Sequence, residues 1–120
     1  MATFFKSIGF ALNGIKECVK HEMHLKVHLF FTLLAVIAGV LLKISDLEWI
    51  VVSICIAAVL ATELINTAIE ALCNIVHKEN HPGIKLVKDM AAAAVLITAV
   101  AAALSGGIIF IPKIILLINQ

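Results

Sequence analysis

The sequence predicts an all-α integral membrane protein, in which an N-terminal amphipathic surface helix precedes three transmembrane helices. Its composition, three long apolar segments and an N-terminal segment with helical periodicity support this prediction. Hydrophobic residues make up 62% of the 120 residues and charged residues only 14%, with a mean hydropathy of +1.13. Soluble domains average roughly 45–50% apolar and about 25% charged residues. Because a short chain buries only a small fraction of its surface in an aqueous core, a bilayer accommodates this composition better.

The N-terminal segment has apolar residues at helical spacing, with its lysines elsewhere on the helical wheel. The apolar residues are Phe4, Ile8, Ala11, Ile15 and Val19. Such a pattern is typical of a helix that lies in the plane of the membrane interface. A cleaved signal peptide is not indicated, because no clean apolar run leads to a small-residue cleavage site. We therefore expect a surface helix over residues 1–24; the alternative, a helix of a soluble bundle, is weakened by the apolar segments that follow.

Three apolar segments follow, predicted as transmembrane helices over residues 25–43, 47–77 and 85–112 of a single membrane domain, 1–120. A helix needs about 20 predominantly apolar residues to span the hydrocarbon core. The third segment meets this with 23 uncharged residues, 90–112. In the second, the uncharged stretch covers only 14 residues, 49–62, but the helical pattern continues beyond it. We expect Pro112 to kink or end the last helix.

The lysines predict the orientation of these segments. Four lysines lie before the first span or in its first turn and three lie in the second loop or the turn after it, whereas one lysine and two acidic residues lie in or beside the first loop. Since cytoplasmic loops are enriched in basic residues, the N-terminus and the second loop are expected in the cytoplasm. Three thin helices form a poor isolated bundle, and small residues four apart allow close helix contacts, so we expect a homo-oligomer. The formal net charge of +1 gives no reason to expect nucleic acid as a partner.

The second span contains a stripe of polar residues. Glu63, Asn66 and Glu70 occur at positions i, i+3 and i+7, and Asn74 and His77 extend the same helix face. A carboxylate at the membrane centre costs about 2.5–3.5 kcal/mol on insertion scales, so such residues are usually functional. The alternative is that they are polar contacts between protomers or remain protonated.

The depth of the two glutamates differs. If Trp49 marks the outer interface, Glu63 lies about 21 Å further in, roughly two turns short of the cytoplasmic interface. Glu70 lies about 10 Å further along, at the water boundary. Glu63 is therefore suited to act as a general base for an alcohol, while Glu70 can stay ionised. They are too far apart on one helix to hold one metal ion, and Glu22 is the candidate for a further ligand.

Other polar groups allow two interpretations each. Lys88 can bind a phosphate and Asp89 can occupy a favourable place near a helix N-terminus, although a lysine and an acidic cap are common at membrane boundaries. His21, His24 and His28 have a spacing compatible with a transition-metal site, but neutral histidines are also favourable at an interface and nearby lysines disfavour a cation. The three cysteines have no paired spacing and are interpreted as small buried apolar residues.

No nucleotide-binding or hydrolase motif of soluble enzymes is present, neither GxxxxGK[ST] nor GxGxxG, HExxH or GxSxG. A nucleotide site in this chain would have to be assembled from helix faces and carboxylates that bridge a metal.

Two motifs resemble those of a known family. The run Glu63-Leu-Ile-Asn66-Thr-Ala-Ile-Glu70-Ala, followed by Lys88-Asp89-Met-Ala-Ala-Ala-Ala-Val-Leu, is similar to the prokaryotic diacylglycerol kinase family, which includes the undecaprenol kinases. The resemblance covers nearly the whole chain. It implies a homotrimeric lipid kinase of the bacterial cytoplasmic membrane, with active sites at protomer interfaces. Such an enzyme transfers the ATP γ-phosphate to diacylglycerol or undecaprenol with the help of Mg²⁺.

The resemblance also implies roles for individual residues. Glu63 would be the catalytic base, Glu22 and Glu70 would hold the metal, and Asn66 would support the site. The implied nucleotide-binding residues are Phe10, Glu22, Glu70, Glu79, Asn80, His81, Lys88 and Asp89. The chain departs from the family pattern at three positions, since Asn74 replaces an aspartate, Thr3 an arginine and His28 a glutamate. Asn74 would support the site without the negative charge of that aspartate.

Two other function classes stay open at this stage. In a small ion- or proton-pathway subunit, Glu63 and Glu70 would relay protons or bind cations. In a structural membrane protein, the stripe would only determine helix packing. Nor does the sequence distinguish diacylglycerol from undecaprenol, because acyl and isoprenoid chains both require only apolar walls.

Overall fold

The computed structural model describes residues 1–120 and consists of four α-helices joined by short connections. They are α1 (Ala2–His21), α2 (Met23–Leu41), α3 (Asp46–Val76) and α4 (Pro82–Ile118). The helices α2, α3 and α4 are each long and apolar enough to cross a membrane. The predicted all-helical class with three membrane-spanning candidates is therefore confirmed. The location of α1 on the membrane surface stays a prediction.

Glu22 forms the break between α1 and α2. Its backbone is extended, with φ −105° and ψ 116°, and its N–H donates to the carbonyl oxygen of Cys18. Cys18 is buried in the last turn of α1, and α1 contacts both α2 and α3. One residue outside helical geometry thus separates the two helices and leaves Glu22 at their junction.

A capping box begins α3. The Ser45 hydroxyl accepts a hydrogen bond from the Glu48 N–H at 3.2 Å, and the Glu48 carboxylate accepts one from the Ser45 N–H at 2.8 Å. Two donors that lack helical partners are satisfied in this way, and the negative charges of Asp46 and Glu48 are favourable at the helix N-terminus. The start of α3 is therefore defined by local side chains.

The central helix of the molecule is α3, which contacts all three other helices and packs most extensively along α4. Its buried residues lie on one face: Val52, Val59, Glu63, Asn66 and Cys73. Only 11 of the 120 residues are buried, so most apolar side chains lie on the outside of the single chain. That outer surface is suited to lipid or to other copies of the chain.

At the end of the molecule that holds the α2–α3 connection, Ile44, Val52 and Ile109 form a small apolar core. Gly39 is buried against the Trp49 ring, and a Cβ at this glycine would lie 2.6 Å from Cη2 of the indole. Lys113 joins α4 to α3 through an ion pair with Glu48 at 3.0 Å. Close contacts and paired charges hold this end together.

The last helix is longer than the segment predicted at residues 85–112. It begins at Pro82, a favourable first helical residue, and the His81 ring nitrogen accepts a hydrogen bond from the Gly83 N–H at 3.0 Å. It does not end at Pro112 but continues to Ile118. Two outcomes were expected for Pro112, a kink or the end of the helix. The second is therefore wrong. Proline removes one hydrogen bond from a helix, and the remaining bonds of α4 carry it past this residue.

Candidate functional site

Glu63 is a buried acidic residue, with only 2% of its surface exposed. It lies on the face of α3 that packs against the other helices. The closest basic group is His28 on α2, whose Nε2 lies 3.7 Å from Oε2 of Glu63. Glu63 and Asn66 are the two buried polar residues of the chain. The carboxylate predicted to be functional therefore faces other parts of the protein and the His28 ring rather than the outside of the helix.

Asn66 connects this buried region to Glu70. Its Nδ2 donates to Oε1 of Glu70 at 3.4 Å, while its own Oδ1 is buried without a hydrogen-bond partner. The hydroxyl of Thr67 is likewise buried and unpartnered. A buried polar atom without a partner costs about 1–3 kcal/mol, so the orphaned amide oxygen is a place where a ligand would be favourable.

Glu22 and Glu70 are half-buried and form no ion pair with a lysine or histidine of the chain. Carboxylate oxygens are the donors that Mg²⁺ prefers, and Mg²⁺ commonly binds one or two carboxylates together with substrate phosphates. The donor type and the missing cationic partners thus fit magnesium. The chain contains no cluster of three or more His, Cys, Asp or Glu side chains that would hold a metal unaided.

A polar cavity of about 670 Å³ lies at the α3–α4 connection. It brings together five residues that the resemblance assigned to nucleotide binding or support: Asn74, Glu79, Asn80, His81 and Lys88. Lys88 Nζ donates to Oδ1 of Asn74 at 2.7 Å. Lys88 and Asn74 therefore join the end of α3 to the start of α4 across the cavity.

Lys78 and Lys85 line the same cavity and were absent from the predicted site. Sequence reasoning used these lysines only to orient the protein in the membrane. Their density along the chain could have identified them as site residues. Three lysines within eleven residues, 78–88, concentrate positive charge that is suited to bind phosphate. Lys85 also pairs with Asp89 on the next turn of α4.

Four expected nucleotide-binding residues lie outside this cavity, namely Phe10, Glu22, Glu70 and Asp89. Asp89 is exposed beside Lys85, and Phe10 is 76% exposed on α1. Glu22 lies at the α1–α2 break and Glu70 lies one turn beyond Asn66 on α3, and none of the four lines the cavity of its own chain. Their roles stay predictions, as do those of Glu63 and Asn66.

An apolar cavity of about 400 Å³ lies between α2, α3 and α4. His28 and Val59 line it, and α4 contributes small residues such as Ala99, Ala102 and Gly106. His28 is thus both a wall of the apolar cavity and a neighbour of Glu63. Sequence reasoning considered His28 only within the histidine set and as a departure from the family pattern. In the structure His21 instead pairs with Glu17 at 3.5 Å.

Three candidate membrane spans and a carboxylate buried within one of them characterise a membrane protein that also has separate apolar and lysine-lined polar cavities. The sequence model of the prokaryotic diacylglycerol kinase family matches residues 9–110, and the chain belongs to this family. The resemblance predicted from the Glu63–Glu70 and Lys88-Asp89 motifs is thereby confirmed.

Two relatives show the range of this family. The undecaprenol kinase of Bacillus subtilis (strain 168) is 36% identical over 111 residues, which cover 92% of this chain and 90% of that protein. The diacylglycerol kinase of Synechocystis sp. is 29% identical over 110 residues, which cover 91% of this chain and 63% of that protein. Both names describe kinases of lipid alcohols. Neither supports the ion-pathway alternative.

Proposed function

We propose that this protein is a membrane lipid kinase that transfers the γ-phosphate of ATP to the hydroxyl group of a lipid alcohol. The observation that carries the proposal is Glu63, a carboxylate buried at 2% exposure inside a candidate membrane span. Undecaprenol is the first candidate substrate and diacylglycerol the second. The relative named undecaprenol kinase is matched over 90% of its length, whereas the diacylglycerol kinase is matched over 63%.

The chemical step requires a base close to the lipid hydroxyl. Glu63 accepts the hydroxyl proton, and the lipid oxygen forms a bond to the γ-phosphorus. The bond from that phosphorus to the β–γ bridging oxygen breaks, and ADP leaves with the electron pair. A buried carboxylate is suited to a lipid alcohol, because such a substrate carries its hydroxyl at the edge of the hydrocarbon layer.

The lysine-lined cavity is suited to the polyphosphate. Lys88 is held by Asn74 rather than by a carboxylate, so its charge is available for a phosphate oxygen. Lys78 and Lys85 add positive charge on the walls of the same cavity. Phosphoryl transfer depends chiefly on positioning and charge neutralisation, which these side chains supply.

Glu22 and Glu70 are the proposed magnesium-binding residues. A bound Mg²⁺ would neutralise charge on the ATP phosphates. The two carboxylates would anchor it from α3 and from the α1–α2 break, and the hydrogen bond from Asn66 restrains Glu70. Their missing cationic partners support this assignment.

The apolar cavity is proposed to receive the hydrocarbon chain of the lipid. Along α3 it is lined by Val52, Cys55, Ile56 and Val59, all on the same side of Glu63 in the chain. Since α3 is proposed to run from the outer face towards the cytoplasm, these residues lie deeper in the membrane than Glu63. A lipid with its hydroxyl at Glu63 would therefore extend its chain along this cavity.

Assembly into a homotrimer with shared active sites is part of the proposal. The large exposed apolar surface of the single chain supports contacts with other copies as well as with lipid. A neighbouring copy would bring Phe10, Glu22 or Asp89 to the site of its partner. The N-terminus and the second loop would face the cytoplasm, where ATP is found, because the lysines are concentrated there.

Purified protein in detergent, supplied with radiolabelled ATP and a mixture of undecaprenol and diacylglycerol, tests the proposal directly. Extraction of the lipids is expected to yield labelled undecaprenyl phosphate, with less or no phosphatidic acid. Asp46→Asn is the control for variants of Glu63, because Asp46 is a carboxylate at the opposite end of α3. It is expected to label the lipid as the natural chain does. Label in neither lipid, with an intact protein, would disprove the lipid kinase function.

A further inference from the structure

His28 is a partly buried titratable residue that has no role in the reaction steps proposed above. Its side chain is 21% exposed, that of Glu63 is 3% exposed, and the two face each other across the α2–α3 contact at 3.7 Å. No other basic group lies within 4 Å of the Glu63 carboxylate. His28 thus occupies the place of the counter-charge for the proposed base.

We propose that His28 is a positioning residue for Glu63, whose imidazole keeps the carboxylate ionised and directed towards the lipid hydroxyl. This inference rests on the proposed lipid kinase function. A protonated carboxyl group cannot accept the hydroxyl proton, so the base has to be ionised before each turnover. Burial opposes ionisation unless an opposite charge or a hydrogen-bond donor compensates for the lost water.

The surroundings leave this task to His28. From α1, Glu17 and His21 pair with each other at an exposed position. On α3, Glu70 is the next acidic residue and is bonded to Asn66. On α4, no residue between Asp89 and Lys113 is titratable. At the α1–α2 break and the start of α2, Glu22 is half-buried, and His24 and Lys26 are exposed.

The location of His28 strengthens its effect. The same ring lines the apolar cavity between α2, α3 and α4. Electrostatic attraction is stronger in such a low-dielectric region than in water. The lipid chain proposed to occupy the cavity would exclude water from the pair and bring the hydroxyl past the imidazole to Glu63.

The test compares His28→Gln with His24→Gln in the lipid phosphorylation assay. Glutamine keeps a hydrogen-bond donor but carries no positive charge, and His24 lies one turn earlier on the same helix on an exposed face. His28→Gln is expected to lower kcat about 10- to 100-fold with the KM for ATP unchanged, because a misdirected base slows only the chemical step. His24→Gln is expected to match the natural chain.

The pH profile distinguishes positioning from packing. An imidazole can carry a positive charge at low pH and a glutamine carries none at any pH, so the deficit of His28→Gln is expected to be largest at low pH and to narrow as the pH rises. A deficit that is the same at every pH would indicate packing and overturn the proposal. Activity equal to that of the natural chain would overturn it as well.

His28→Lys provides a second variant that does not depend on the folding of the first. It restores a cation near Glu63 and is expected to retain more activity at low pH than His28→Gln. Equal or lower activity of a folded His28→Lys, with size-exclusion elution unchanged, would contradict the proposal. If the natural chain itself phosphorylates no lipid, the lipid kinase function fails, an outcome distinct from failure of the role of His28.

Discussion

The two ends of α3 are built on opposite principles. At the end that begins the helix, Ser45 and Glu48 satisfy each other, Lys113 pairs with Glu48, and Gly39 lies tightly against Trp49. Towards the other end, Asn66 has an unpartnered buried oxygen and Glu70 has no cationic partner. At the beginning of α3, which we call the closed end, the polar groups are satisfied by side chains of the same chain. The other end has polar groups without such partners, which are available to bind a ligand.

The difference shows how one long helix divides stability from function. Satisfied caps and close packing hold α3 in place at its beginning. Unsatisfied polar groups cost stability, and a fold retains them chiefly where a ligand compensates for the cost. Substitutions at the first end should change stability with little effect on turnover, and those at the other end should do the reverse.

Glu63→Gln is expected to have the largest effect. The amide has nearly the same shape but cannot accept the proton, so lipid phosphorylation should fall by about 10²- to 10⁴-fold, the range for general base catalysis. Labelled lipid extracted from detergent assays measures the loss, and size-exclusion chromatography checks the assembly. Full activity in this variant would remove Glu63 from the reaction.

Glu70→Gln should weaken the dependence on magnesium. Removing one of two proposed carboxylate ligands lowers metal affinity, so the Mg²⁺ concentration for half-maximal activity should rise about 10- to 100-fold. A titration of activity with MgCl₂ at saturating ATP measures the shift. An unchanged titration would exclude Glu70 from the metal site.

Lys88→Ala tests the phosphate-binding cavity. Loss of a charge-assisted hydrogen bond of about 1.5–3 kcal/mol should raise the KM for ATP about 10- to 100-fold and leave the KM for the lipid unchanged. Steady-state kinetics with each substrate varied in turn measures both constants. A change confined to the lipid KM would contradict the assignment of this cavity to the nucleotide.

Gly39→Ala tests the closed end. The added Cβ would meet the Trp49 ring at 2.6 Å, and such overpacking typically costs about 1–3 kcal/mol. Unfolding in SDS should therefore occur at lower detergent fraction, while kcat per folded protein stays unchanged. Alanine has a higher helix propensity than glycine, so helix propensity alone would predict a gain of stability rather than a loss. A large fall in kcat without loss of stability would contradict the proposal that the beginning of α3 serves stability and the other end serves function.

Thr98→Val should have the smallest effect. Its hydroxyl is 2.9 Å from that of Thr62 and links α4 to α3 beside Glu63. Interhelical hydrogen bonds in membranes contribute about 0.6 kcal/mol on average, so only a slight loss of stability is expected. SDS unfolding measures it, and Thr98→Ser, which keeps the hydroxyl, should behave like the natural chain. A loss larger than that of Gly39→Ala would reverse the comparison between the two ends.

Much of the architecture followed from sequence patterns that depend on one helix at a time. Apolar length predicted the three spanning candidates, and residue spacing placed Glu63, Asn66 and Glu70 on one face of α3. Sequence reasoning was less reliable at the helix ends. Pro112 does not end α4, because a single missing hydrogen bond is compensated by the rest of a long helix.

The relations between helices required the structure. Neither the 3.7 Å contact of His28 with Glu63 nor the convergence of Lys78 and Lys85 on one cavity follows from spacing along the chain. Each depends on the rotation of one helix about its axis against another. Many side chains contribute to that rotation, and no single motif encodes it.

By itself the sequence determined that this is a helical membrane protein, because hydropathy and helical periodicity are properties of consecutive residues, and its motifs identified the prokaryotic diacylglycerol kinase family. Only the tertiary structure decided that Glu63 is enclosed within the chain with His28 as its partner. The physical reason is that burial and pairing of a charge depend on what a second helix places opposite it.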